Sequence, residues 1–380
     1  MTRRRSFLQA GSAVATAMAF PALSQSPAFP SRALKYICPW PAGGSTDIVM
    51  RSLAESASKA LGQSVIVENK PGAGGMLGAV DMLTAKPDGY TLCQIPQGAF
   101  RIPHMQKTAF DTLKDFTWIA CLTGYTFGLV VPANSPFKTI KDFVDYAKAN
   151  PGGLSYGSTG TGTSPHLAVE EFAQKAGIQL NHIPYKGNAE NMQAVLGGHV
   201  MAASDATGWG PHVDAGRLRL LATYGSKRTK RWSHIPTLNE LGYQTVSDSP
   251  FGVCGPKGMD PAVVKIIHDA FKSALDDPAV IATFDKYDQS VIYLNTEQYT
   301  KFAHDSYHAE RALIEKLGLL KKSCTPPRRR GLDQRISAWR DPNGTRRGTT
   351  DSVFHLDVAA GNHAAPAGDV VLNHLLHALR

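Results

Sequence analysis

Nowhere does the 380-residue sequence hold the roughly 20 consecutive apolar residues that cross a bilayer. The stretch from Ala10 to Phe20 is too short and too rich in small residues, so any membrane association must come through a partner. Catalytic signatures are missing too: there is no GK[ST] phosphate loop, no HExxH motif and no convincing dinucleotide fingerprint. Cysteine is sparse at five residues, without CxxC or Cys/His metal spacing. Neither a metal nor a cofactor is expected. Cys38, Cys93, Cys121 and Cys254 sit in apolar, strand-like contexts that favour buried free thiols. One disulfide stays open in an oxidising compartment, and spacing does not pair the cysteines.

Acidic residues are absent from the first 24 positions, where Arg3, Arg4 and Arg5 precede the short apolar stretch and a small-residue site near Ser24. That order predicts an export signal over 1–24 and a periplasmic location after cleavage; Arg4-Arg5-Ser6-Phe7-Leu8 resembles the twin-arginine type, with an ordinary secretory signal as the alternative. The formal net charge of +9 is unevenly spread: residues 1–24 contribute +3 and residues 321–380 contribute +5, leaving about +1 for the body. A nearly neutral body excludes nucleic acid as the expected partner.

A body of that length suits two domains of about 150 residues each. Strand-like and helix-like segments alternate along it, which predicts α/β layers with mainly parallel sheets. Ala33 to Pro39 reads as a strand, followed by a helix with Ile48, Val49, Leu53, Ala57 and Leu61 at helical spacing before Gly62 stops it. A second helix is expected over Ala79 to Lys86, one capped by Thr139, one with Ser164 as cap and Pro165 in its first turn, and others opened at Asp260-Pro261 and Thr296. Apolar crossings near GLVVPANSPF and SPFGVCGPKG divide the body into lobe 1 (33–128 plus 250–320) and lobe 2 (129–249). Paired crossings define a hinge, with ligand in the cleft between the lobes. From 321 to 380 the Arg/Pro/Gly bias predicts a disordered tail.

Two loops rich in glycine and hydroxyl groups stand between predicted strands and helices, Pro39 to Asp47 and Gly157 to Ser164. Glycines allow close backbone approach, and the free N–H groups of the first helical turn face a ligand with the positive dipole end. A carboxylate fits this setting, at about 0.3–1 kcal/mol per helix end and up to about 2 when partly buried. Neither loop contains Arg or Lys.

In order along the chain, PWPAGGSTD, VENKPGAGG, PDGYTL, YGSTGTGTSPHL, IPYKG, GRLRLLA and IPTLNELGY resemble the tripartite tricarboxylate transporter receptor family, the TctC or Bug receptors. The resemblance covers about residues 33–320. It implies a two-lobed Venus-flytrap periplasmic-binding-protein fold of type II kind, with two sheets flanked by helices and joined by two crossover strands. It also implies one small carboxylate ligand, a dicarboxylate, tricarboxylate, amino acid or aromatic acid, delivered by a monomer to integral-membrane transporter subunits. The residues carried over are Trp40, Ala42, Gly43, Gly44, Ser45, Thr46 and Asp47 in the first loop. In the second they are Ser158, Thr159, Gly160, Thr161, Thr163, Ser164 and His166, with Gln97, Tyr185 and Asp205 reading the distal end of the ligand. One departure is Phe251, where the family more often has tryptophan, and the tail has no family counterpart.

Blander roles compete at several positions. Trp40 is a lid or a core aromatic, Asp47 supports the first helical turn, His166 bonds the loop or reaches the ligand, and Lys186 is a solvated lysine or an anion partner. His374 and His377 would be half a metal site at most. Two other functions compete with capture for transport. A sensing receptor would present the closed form to a signalling protein. A serine hydrolase would use Ser155 in the GxSxG pattern of residues 153–157, but Ser155 falls inside a predicted strand rather than on a turn. The expectation is a binding protein, not an enzyme.

Overall fold

The computed structural model describes residues 29–321 apart from residue 248. The export segment, the tail beyond 321, Cys324, His374 and His377 lie outside the described residues. The first elements are Leu34–Cys38 (β1), Ser45–Leu61 (α1), Val65–Asn69 (β2), Leu77–Met82 (α2), Thr91–Cys93 (β3), Gly98–Met105 (α3) and Phe116–Gly124 (β4). Then come Phe127–Pro132 (β5), Ile140–Ala149 (α4), Leu154–Ser158 (β6), Ser164–Ala176 (α5) and Leu180–Pro184 (β7). Asn188–Leu196 (α6), Ala202–Ala206 (β8), Gly210–Asp214 (α7) and Leu218–Thr223 (β9) follow. The last are Pro250–Pro256 (β10), Pro261–Ser273 (α8), Pro278–Lys286 (α9), Val291–Leu294 (β11) and Thr296–Lys316 (α10).

The strands form two sheets, of order β11-β4-β10-β3-β1-β2 and β7-β6-β8-β5-β9. Each contains a parallel core of βα units, β2-β1-β3 in one and β7-β6-β8 in the other. The strands that enter from the crossings run antiparallel to those cores: β10 against β3 and β4, β5 against β8 and β9. The sheets are therefore mixed rather than mainly parallel. A strand arriving from the other lobe starts at the cleft end of the sheet, where the βα strands finish.

Two segments carry the chain between sheets, one from Gly124 to Phe127 and one between β9 and β10. They meet directly, since Tyr125 N–H donates to the Ser249 carbonyl at 3.0 Å. Each lobe folds around the apolar stripe of its own helices. Val49, Met50, Leu53 and Ala57 of α1 are fully buried with Leu34 and Tyr36 of β1, whereas Ile48 is exposed. Gly62 and Gly177 end α1 and α5 in the left-handed region, at φ 65° in both cases. Thr139 forms a capping box with Asp142. The cap of α5 is Thr163, one residue before the expected Ser164, and α2 lies earlier than the expected 79–86.

Cys38, Cys93, Cys121 and Cys254 are all on strands, buried and free. Burial pushes the Cys38 thiol up to about 12 and that of Cys121 up to about 11, so both are protonated and unreactive.

Candidate functional site

The first loop is built by a left-handed glycine and a buried carboxylate. Gly43 has φ 79°, a conformation that disfavours any side chain, and Gly44 then caps α1 at φ −74°, ψ 164°. Asp47, 3% exposed, accepts the Gly43 N–H at 2.9 Å, Arg51 Nε at 3.1 Å and Asn69 Nδ2 at 2.8 Å. Burial alone would raise this carboxyl, but the bonds from Arg51, Gly43 and Asn69 outweigh it and hold its pKa below the ordinary value. Asn69 also donates to the Trp40 carbonyl at 3.0 Å, which ties the loop to the end of β2.

The second loop follows nearly the same backbone path. Gly162 has φ 80°, and Thr163 caps α5 at φ −74°, ψ 162°. Its own bonds brace it: Thr163 Oγ1 donates to the Gly160 carbonyl at 2.7 Å, and Gly162 N–H donates to His166 Nδ1 at 3.2 Å. Side chains cap α4, α8, α9 and α10 through Thr139, Asp260, Asp277 and Asn295. Helices α1, α5 and α6 have no such bond. Their first residues, Ser45, Ser164 and Asn188, line one cavity between the lobes. Gly98, the first residue of α3, lines it too and is likewise without a side-chain cap, so four helical N-termini, those of α1, α3, α5 and α6, face a common space with their first-turn N–H groups.

The cavity measures about 40 Å³, room for roughly three waters at 10–15 Å³ each. Of the residues expected at the site, Trp40, Gly44, Ser45, Thr46, Gln97, Thr159, Thr163, Ser164 and Asp205 form its walls. Trp40 is thus a wall of the cleft. Thr46 Oγ1 donates to the Tyr125 hydroxyl at 3.2 Å, which links the first loop to the crossing segment. The other expected residues stand back from the cavity. Ala42, Gly43 and Thr161 are exposed. Asp47, Gly160 and His166 brace the loops as described. Tyr185 packs against Gly157 on β6. Ser158 is fully buried, with its hydroxyl 2.7 Å from His182 Nε2. Lys186 is exposed. Phe251 lies behind the wall, 5.3 Å from the ring of Tyr125. Ser155 is in mid-strand and accepts the Met201 N–H at 3.2 Å.

Several residues that line or back this cavity carry little or no signal in the sequence. Asn188 and Tyr125 line the cavity; the position of Asn188 as first helical residue after Gly187 was a usable signal. Arg101 and Glu310 carry no sequence signal, being 209 residues apart. Both are buried behind Gln97 and Ser164. Arg101 Nε and Nη2 donate to Glu310 Oε2 and Oε1 at 2.9 and 2.5 Å, and Arg101 Nη1 reaches Ser164 Oγ at 3.3 Å. Gln97 Nε2 donates to the same carboxylate at 2.6 Å. The arginine is already paired, so the helix ends remain the source of positive potential at the cavity. Ser45 Oγ and Gln97 Oε1 are buried without a partner.

Burial dominates the titration of three groups here. It pushes Asp205 up to about 6, against the lowering effect of bonds from Asn191, Asn188 and the Ala206 N–H. It pushes His166 down to about 3 and His182 down to about 4, their rings 4.1 Å apart. Both histidines are neutral in the folded protein, whereas the unfolded chain protonates them near pH 6.5. Stability is therefore lost as pH falls from about 6.5 towards 4. Asp205 acts oppositely between about 6 and 4, holding a proton that the unfolded chain releases, but two histidines outweigh one carboxyl. We expect a lower thermal midpoint at pH 5 than at pH 7, and a smaller drop in His182→Gln. Equal drops in both proteins would exclude this account.

A sequence profile of the family described as "Tripartite tricarboxylate transporter family receptor" matches residues 49–319. The Cupriavidus necator protein named "UPF0065 protein in gbd 5'region" is 52% identical over 325 residues, covering 84% of this chain and 99% of that protein. Protein BugT of Bordetella pertussis is 30% identical over 295 residues, covering 76% and 90% respectively. Among solved structures, that of the periplasmic binding protein BugD aligns with a TM-score of 0.74 at 29% identity, covering 77% of this chain and 100% of that one. The two mixed sheets flanked by helices are thus the periplasmic-binding-protein fold that the sequence implied.

Proposed function

This chain belongs to the tripartite tricarboxylate transporter receptor family, and on that premise we propose that it captures a small carboxylate in the periplasm and presents it to membrane transporter subunits. The carrying observation is the meeting of uncapped N-termini from α1 and α5, one on each sheet, around a cavity where Ser45 Oγ lacks a partner. A carboxylate satisfies both sets of donors at once, without an arginine. Such a ligand binds the closed arrangement better than the open one, which is what drives closure. The small cavity requires the lobes to part before a ligand enters. The basic, acid-free start of the chain supports export.

Thermal shift across dicarboxylates, tricarboxylates, amino acids and aromatic acids tests this reading. At least one acid at a hundred times its dissociation constant should stabilise the protein by about 2.7 kcal/mol. Ser45→Ala should weaken that acid by about 1.5–3 kcal/mol, the worth of a hydrogen bond to a charged group. A screen in which no acid stabilises, while an ester is turned over and Ser155→Ala abolishes the turnover, would overturn it.

A further inference from the structure

Beyond its donor-rich helix ends, the cavity has acceptors that a carboxylate does not satisfy. Gln97 lines it, with Nε2 committed to Glu310. A carboxylate accepts only from the amide nitrogen, so the side chain cannot be turned the other way round. Its Oε1 is buried and unpartnered, and is left to meet the ligand. Asp205 lines the same cavity at 1% exposure. Its carboxylate accepts from Asn191 Nδ2 at 2.7 Å and the Ala206 N–H at 2.8 Å, with the Asn188 side chain beside it, all neutral groups. Two carboxylate oxygens offer about four lone-pair sites, so acceptor capacity remains. Among the described residues no cation bonds to it, and Arg101 is bound to Glu310. A buried carboxylate without a counter-charge is costly, and the cost falls when a ligand supplies one.

Building on the carboxylate reading above, we infer that the preferred ligand is a zwitterion, a carboxylate that also carries a protonated amine, with the ammonium meeting Asp205 and Gln97 Oε1. The ligand's negative charge then sits at the helix N-termini and its positive charge at Asp205, an acid of the cavity wall with no cation beside it among the described residues. A plain dicarboxylate would set a second negative charge among acceptors. The same arrangement selects against fully deaminated analogues, because Asp205 would be left buried and alone.

Isothermal titration of the full-length protein at pH 7.5 with matched acids tests this. The probes are alanine, lactate and propionate; 4-aminobutyrate, 4-hydroxybutyrate and butyrate; phenylalanine and 3-phenylpropionate; and succinate. In at least one set the amine-bearing acid should bind about tenfold or more tighter than its partners and than succinate, as for a charge-assisted bond. Asp205→Asn should bring that ratio to about threefold or less, and Gln97→Leu should lower it in a protein whose Asp205 is intact, which covers the case of a misfolded Asp205 variant. A hydroxy or plain acid, or succinate, that matches the amine overturns the inference while leaving the carboxylate reading standing; an unchanged ratio in both variants also overturns it. Failure of every acid to bind overturns both.

Discussion

Replacing Glu310 with alanine is expected to lower stability by about 3–5 kcal/mol, because it leaves the Arg101 guanidinium buried without its counter-ion. The side chains are only 4% and 9% exposed, and two arginine N–H groups hold the carboxylate together with Gln97 Nε2. Alanine at 310 removes three charge-assisted or polar bonds together and frees Gln97, a wall of the cavity. Denaturant unfolding measures the loss. A double variant, Arg101→Met with Glu310→Leu, removes both charges and should recover most of it, since apolar replacement of a whole buried pair is close to neutral. A Glu310→Ala loss below about 1 kcal/mol, the scale of an exposed pair, would mean that water reaches this cluster in solution. The cluster also spans the lobes, since α10 and α3 belong to the first sheet's side and Ser164 opens a helix of the second.

Gly187→Ala is expected to weaken ligand binding by about 1–3 kcal/mol, roughly 5- to 150-fold, while the fold persists. Gly187 has φ −177°, so its backbone accepts any residue. An added Cβ would lie 2.5 Å from Cδ and 2.7 Å from Cγ of Pro41, a rigid ring in the first loop of the other lobe. Neither backbone segment gives way easily, and the cheapest relief is to hold the lobes apart. The variant should therefore keep the thermal midpoint of the unliganded protein and fail to compact with ligand in small-angle scattering. Wild-type affinity in Gly187→Ala would show that Pro41 and Gly187 do not meet in the liganded state.

Local signals in the sequence carried well into the structure where the physics is local. Gly62, Gly177, Thr139 and Asp260 act through their own backbone geometry or a bond to a near neighbour, and all sit where the sequence placed them. The same holds for the two glycine loops. Ser158, His166 and Tyr185 show the boundary: they belong to the right segment, yet their side chains face the loop interior or the sheet instead of the cavity. A one-residue change along a strand or turn reverses the direction of a side chain, and spacing alone does not settle it.

The sequence by itself determined the alternation of strand and helix, the two arginine-free loops and the family to which the chain belongs, because these depend on residues close together in the chain. Tertiary structure alone decided that the crossing strands run antiparallel to the parallel cores, that Arg101 is neutralised by Glu310, and that Asp205 lies in the cavity wall without a cation. Those outcomes depend on which distant segments meet and on how much water burial removes. A charge changes its role when it is desolvated beside, or away from, its opposite.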